Sequence, residues 1–274
     1  MKGLSRRALT AFIFVVVMIG GTYSGTISFV LLFGIICFLC LWEFLGLVLE
    51  EGADRKWIGV YIGIFPYILS SLYHLQVVED TAYFTLQVSL LFVPTLFLVF
   101  LYELSTKSSR PFSNIAFIML GMIYIGIPFS MLEFAAFNSG MYYPNIVFGL
   151  LLMTWTNDTA AYLVGSQIGR TPLFPRISPK KTWEGTMGGV AVTILLAFFL
   201  QGFFDELPLR DWLVLAVLVS LFGSLGDLVE SMLKRSFAIK DSGSLLPGHG
   251  GFLDRFEGFI FMLPFAAAYI VWLQ

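Results

Sequence analysis

Residues 231–255 read SMLKRSFAIKDSGSLLPGHGGFLDR, a polar stretch in a chain that is otherwise apolar. Its basic side chains Lys234, Arg235, Lys240 and Arg255 can neutralise anionic oxygens, and the carboxylates Asp241 and Asp254 can bind a cation. Glycines at 243, 248, 250 and 251 let the backbone come close to a ligand, so that N–H groups can face an oxyanion. These are the parts of a phosphate and metal site.

The same pattern begins slightly upstream, at Gly226-Asp227. On a helix, Asp227, Ser231 and Lys234 fall at i, i+4 and i+7 and share a face, with Glu230 beside them. Asp227 and Asp254 bracket the glycine loop, which can bring two carboxylates to one Mg²⁺ while substrate phosphates complete its shell. His249, inside the loop, reads either as a phosphate or base contact or as a turn-stabilising group.

Two further polar clusters stand out. Asn157-Asp158-Thr159, with Tyr162, interrupts an apolar segment. An ionisable residue there is costly and marks Asp158 as functional, whereas Asn157 and Thr159 are also what helix-to-helix hydrogen bonding would use. The other cluster is ISPKKTWEG, residues 177–185. Pro179 stops any helix before it, and a helix begun after it would turn backbone N–H groups and Lys180 and Lys181 the same way. A plain interfacial anchor of two lysines and Trp183 competes with that reading.

The elements that must position these groups are membrane helices. Hydrophobic residues make up 58% of the 274 and charged residues 12%, with mean hydropathy +0.85, which excludes a soluble globular enzyme. The chain is expected to be an all-α, polytopic integral membrane protein. Apolar runs of bilayer-crossing length lie at 27–49, 57–73, 81–102, 112–134, 144–165, 185–204, 211–233 and 256–273, after a shorter one at 8–20, giving about nine spans. The first reads as a span rather than a secretory signal. With the N-terminus cytoplasmic and the C-terminus external, every one of the 16 lysines and arginines except Arg210 falls on the cytoplasmic side. All three polar clusters then face the cytoplasm. Residues 1–140 read as scaffold helices, with Glu43 and Glu133 as rare ionisable groups among them, and 141–274 as the catalytic region. Cys37 and Cys40 read as small buried residues of the second span.

Residues 231–256 resemble the signature of phosphatidate cytidylyltransferases (CDP-diacylglycerol synthases), carried by Lys234-Arg235, Lys240-Asp241, Pro247, His249-Gly250-Gly251 and Asp254-Arg255. Asn157-Asp158, Ser178-Pro-Lys-Lys-Thr182 with Glu184-Gly185, and Gly226-Asp227 are similar to that family's other polar stretches. One position departs, with Glu257 where the family pattern has Asp. The resemblance implies transfer of cytidylate from CTP to phosphatidate, with Mg²⁺ required, in the cell inner membrane. It also implies a homodimer; no nucleic-acid partner is expected.

By the same resemblance Asp227 and Asp254 are the metal ligands. Lys234, Arg235, Lys240, Asp241, His249 and Arg255 join them as catalytic residues. Asn157, Asp158, Ser178, Lys180, Lys181, Thr182, Ser231, Gly248, Gly250 and Gly251 become the substrate-binding set. Two other classes compete: another CTP-dependent lipid enzyme (a lipid-alcohol kinase or a polyprenyl-lipid cytidylyltransferase) and, less well supported, a secondary transporter. A transporter would be expected to show internal repeats with polar residues at the midplane, and no repeat is visible.

Overall fold

The computed structural model describes residues 2–50, 52–77, 80–243, 245 and 250–273, with side chains from residue 9 onward. Its architecture is predominantly helical. The helices are α1 (Lys2–Tyr23), α2 (Thr26–Val48), α3 (Ala53–His74), α4 (Thr81–Ser105), α5 (Pro111–Gly121), α6 (Ile127–Ala136), α7 (Pro144–Ile168), α8 (Trp183–Phe203), α9 (Leu209–Ser236) and α10 (Leu253–Leu273). One π-helical segment, Met122–Gly126, joins α5 to α6, so these two form a single rod of 26 residues. Pro128 lies at the start of α6, where its missing N–H and its ring disturb the regular ladder.

Six of these rods are long and apolar enough to cross a membrane: α2, α4, the α5–α6 rod, α8, α9 and α10. The chain is thus an all-α, multi-pass membrane protein. α3 and α7 have 22 and 25 residues, which at 1.5 Å per residue gives roughly 33 Å and 38 Å, but neither holds a stretch as apolar as those in the six. Asp54, Arg55 and Lys56 open α3, and Asn157, Asp158 and Thr159 interrupt α7. In α1 the apolar part is the shorter piece Leu9–Tyr23.

Small residues set how closely the rods approach. A Cβ on Gly126 would fall 1.8 Å from the Gly63 carbonyl oxygen, and one on Gly149 would fall 2.6 Å from the Trp212 ring. Such contacts replace the missing hydrophobic drive between helices in lipid. Glu133 on α6 is fully buried and accepts hydrogen bonds from Ser70 and from Ser71 Oγ (2.6 Å) on α3. It serves there as an interhelical tie. Where α2 to α5 end, Arg55 pairs with Glu103 at 2.5 Å, both buried. Beside them Glu50 accepts from the hydroxyls of Ser108 (2.5 Å) and Ser109, which hold its carboxyl down to about 2. Cys37 and Cys40 are buried free thiols.

α7 packs along α8, α8 along α9 and α9 along α10, while α10 returns against α6 and α2. Two short antiparallel hairpins interrupt this order: β1 (Phe137–Asn138) with β2 (Met141–Tyr142), and β3 (Pro172–Phe174) with β4 (Ser178–Thr182). The second corrects one sequence expectation. Lys180 and Lys181 lie on a strand, not in a helical first turn, and α8 starts only at Trp183. The local reason is visible: Thr182 pairs across to Pro172, and Trp183 N–H donates to Thr171 O at 3.0 Å.

Candidate active site

The β3–β4 hairpin is held against the bundle by the first turn of α8. Thr182 caps that helix, its Oγ1 accepting from Gly185 N–H at 3.2 Å. Glu184 reaches back to the preceding loop and accepts from the N–H groups of Arg170 and Thr171, both at 3.1 Å, and from Thr171 Oγ at 2.9 Å. Gly185 lets the helix sit directly on α7, since a Cβ there would meet the Ala161 carbonyl oxygen at 2.7 Å. As a result Lys181 extends over α9. Its Nζ donates to Asp227 Oδ2 and, at 3.5 Å, to the carbonyl of Ser224.

Asp158, Lys180, Lys181, Thr182, Tyr162 and Asp227 border a cavity of about 420 Å³. A second cavity, of about 490 Å³, shares Asp158 and Asp227 and continues to Asp254, Arg255 and Glu257, then between Phe14 and Val15 of α1, Trp155 of α7 and Phe259 of α10. One space brings Lys180 and Lys181 beside Asp158 and Asp227. The other runs from carboxylates to aromatic and aliphatic walls, and the two meet at Asp158 and Asp227.

Asp254, in the first turn of α10, is gripped from three sides. It accepts from Lys234 Nζ at 2.8 Å, from Ser242 N–H at 3.0 Å and from Gly251 N–H at 2.8 Å. Gly250 turns the chain here with φ +82°, a conformation a side chain would strain, and a Cβ would lie 2.8 Å from Asp254 Oδ2. Lys234 also donates to Glu230 at 2.9 Å and Glu257 at 3.3 Å. Glu257, the departure from the family pattern, therefore meets a basic partner and shares it with two other acids.

Three carboxylates around one ammonium leave an excess of negative charge, and Glu230, fully buried, keeps Oε1 without a hydrogen-bond partner among the described residues. Hard oxygen donors with a buried lone carboxylate oxygen suit a divalent cation such as Mg²⁺. Asp227 and Asp254, which the family resemblance makes metal ligands, both face the second cavity.

Other expected residues are placed elsewhere. Asn157 is buried; its Nδ2 donates to Ser224 Oγ at 3.2 Å and it packs against Gly189, a helix-to-helix tie that lines neither cavity. Arg235 is exposed and donates to the Ile239 carbonyl at 3.0 Å, and Lys240 and Asp241 are exposed. Ser178 and Ser231 line neither cavity. Gly248 and His249 lie outside the described residues. Conversely, Glu43 of α2 touches the loop that carries Gly251 and Asp254, accepting from Leu253 N–H at 2.9 Å. The signal was in the sequence as a carboxylate inside an apolar helix.

The sequence pattern of the cytidylyltransferase family matches residues 5–273. Among curated relatives, the chain is similar to phosphatidate cytidylyltransferase of Staphylococcus epidermidis, with 45% identity over 170 residues, 61% of this chain and 64% of that protein. It is similar to phosphatidate cytidylyltransferase of Bacillus subtilis (strain 168), with 42% identity over 171 residues, 61% of this chain and 62% of that protein. The matched segment thus spans just under two thirds of the length of these relatives.

Proposed function

The chain belongs to the cytidylyltransferase family, and from that premise we propose that it joins CTP to phosphatidate, giving CDP-diacylglycerol and pyrophosphate. What carries the reading is the pair of cavities meeting at Asp158 and Asp227, one bordered by lysines and one passing into an apolar cleft. A nucleotide and a lipid have opposite solubilities, and a junction of this kind can accept both.

In the proposed reaction a phosphate oxygen of phosphatidate attacks the α-phosphorus of CTP. The bond from that phosphorus to the bridging oxygen of the β-phosphate breaks, and pyrophosphate leaves with the electron pair. A phosphomonoester has its second pKa near 6, so at pH 7 the nucleophile is already largely dianionic and little general-base help is needed. Positioning and charge neutralisation then supply most of the acceleration. Lys181 and Arg255 border the space where phosphates would lie, and Lys234 holds Asp254 in place. Mg²⁺, when bound, supplies Lewis-acid stabilisation of phosphoryl oxygens; Asp227 and Asp254 would hold it.

Acceptor identity tests this reading. Purified protein given CTP labelled at the α-phosphorus should move label into the lipid fraction with phosphatidate and not with diacylglycerol. No transfer of α-label with phosphatidate, or transfer of γ-label from CTP to the lipid alcohol, would refute it.

The reading also requires both substrates to meet at the cytoplasmic face, with nine crossings and an internal N-terminus. Single cysteines at exposed Arg176 and Lys240 should react with an impermeant maleimide only in inverted vesicles, and one at Asp205 only in intact cells. The native Cys37 and Cys40 are buried, so background labelling should be low. Reaction of position 176 or 240 from outside would contradict this topology.

A further inference from the structure

One charged group near the site has no place in the reaction just described. Glu43 lies in the apolar helix α2, 7% exposed, far in sequence from the polar loop, yet it touches both ends of that loop. Its Oε2 accepts from Leu253 N–H, the first of α10, at 2.9 Å and from Ser242 Oγ–H at 3.4 Å. Gly243 and Gly251 press on the same carboxylate so closely that a Cβ would fall 2.4 Å and 2.3 Å from its oxygens. Ser242 and Gly251 are also the residues whose N–H groups donate to Asp254. Glu43 is thus one residue removed from the Asp254 carboxylate on either side.

Burying such a group is costly, and part of the cost is not recovered. Oε1 makes no hydrogen bond among the described residues, and a well-packed apolar side chain would cost less at this depth. Negative charge at the N-terminus of α10 offsets some of this. What the carboxylate achieves that an apolar residue would not is to fix two backbone segments against a helix neither belongs to. We propose that Glu43 is a positioning residue: from α2 it fixes Ser242–Gly243 and Gly251–Leu253, and so sets where Asp254 points in the cation and phosphate site. The proposal rests on the functional reading above for the meaning of Asp254, but its test does not depend on the reaction.

The test uses full-length protein in phosphatidylcholine nanodiscs, with Mn²⁺ as the probe ion counted by the electron paramagnetic resonance of its free form. Glu43→Gln keeps the size of the side chain and removes its charge. The variant should fold, with a melting temperature close to that of the native chain, and bind Mn²⁺ about tenfold more weakly, as expected when a group orienting a metal ligand is lost. In the transfer assay, kcat should fall by about 10- to 100-fold with KM for phosphatidate little changed. A group that only stabilised the fold would leave Mn²⁺ affinity where it was. Equal Mn²⁺ affinity in the two proteins overturns the proposal whatever the turnover, and so does a native chain that binds no Mn²⁺. If the native chain binds Mn²⁺ but transfers no cytidylate, the functional reading falls while the comparison of affinities still decides the role of Glu43. Should Glu43→Gln not be recovered folded, Gly251→Ala displaces the same carboxylate from the loop side, and unchanged Mn²⁺ affinity there is equally decisive against it.

Discussion

Asp254→Asn and Asp227→Asn are each expected to lower cytidylyl transfer at least 100-fold, roughly 2.7 kcal/mol in barrier terms, with insertion and yield intact. The two should fail for different reasons. At position 254 an amide has one acceptor oxygen for the two backbone N–H groups and the ammonium that now converge there. Its NH₂ must face one of these donors, which leaves a buried mismatch besides the lost charge. At position 227 the change removes the partner of Lys181 and one of the carboxylates facing the second cavity. Raising Mg²⁺ should recover part of the turnover in either variant if the residue is a ligand. Retention of more than about a tenth of native activity, roughly 1.4 kcal/mol, would remove that residue from the metal site.

The second large effect is expected from a substitution that keeps charge. In the Lys180→Arg/Lys181→Arg variant the attraction to anionic headgroups is preserved, because that attraction counts charge rather than shape. An anchor would therefore work as before. Lys181 is more confined than an anchor needs to be: its side chain is 27% exposed and its ammonium lies between Asp227 and the Ser224 carbonyl. A planar guanidinium is larger and spreads its donors in a fixed fork, so it cannot take that place without moving the strand or the helix. We expect at least tenfold loss of kcat, about 1.4 kcal/mol, with Lys181→Arg alone giving most of it. Native kinetics in the double variant would return the hairpin to the anchor class.

Much of the framework was legible because a membrane helix is written in consecutive residues. The expected runs at 27–49, 81–102, 112–134 and 256–273 fall within a few residues of α2, α4, the α5–α6 rod and α10. The Glu230–Lys234 pair follows from helical spacing alone. The hairpin at 172–182 was not legible, since its pairing depends on a turn between two short strands that leave no periodic trace. Asn157 shows a different limit: sequence gives its type and depth, but only the packing of α7 against α8 and α9 tells whether it faces a cavity or another helix. Arg235, Lys240 and Asp241 match the family signature as letters, and the structure puts them at the surface. The contact of Glu43 with Leu253 joins residues 210 apart; a carboxylate inside apolar α2 marks Glu43 as unusual, but nothing local to α2 names its partner.

Which phosphorus moves decides the central claim. CTP labelled separately at the α- and γ-phosphorus is incubated with phosphatidate, Mg²⁺ and the purified protein, and lipid and aqueous products are separated. The proposed reaction puts all α-label that reacts into lipid and releases the γ-label as pyrophosphate in equal amount. Transfer of γ-label to lipid, with the α-label left in CDP, would contradict it and assign the site to a CTP-dependent kinase.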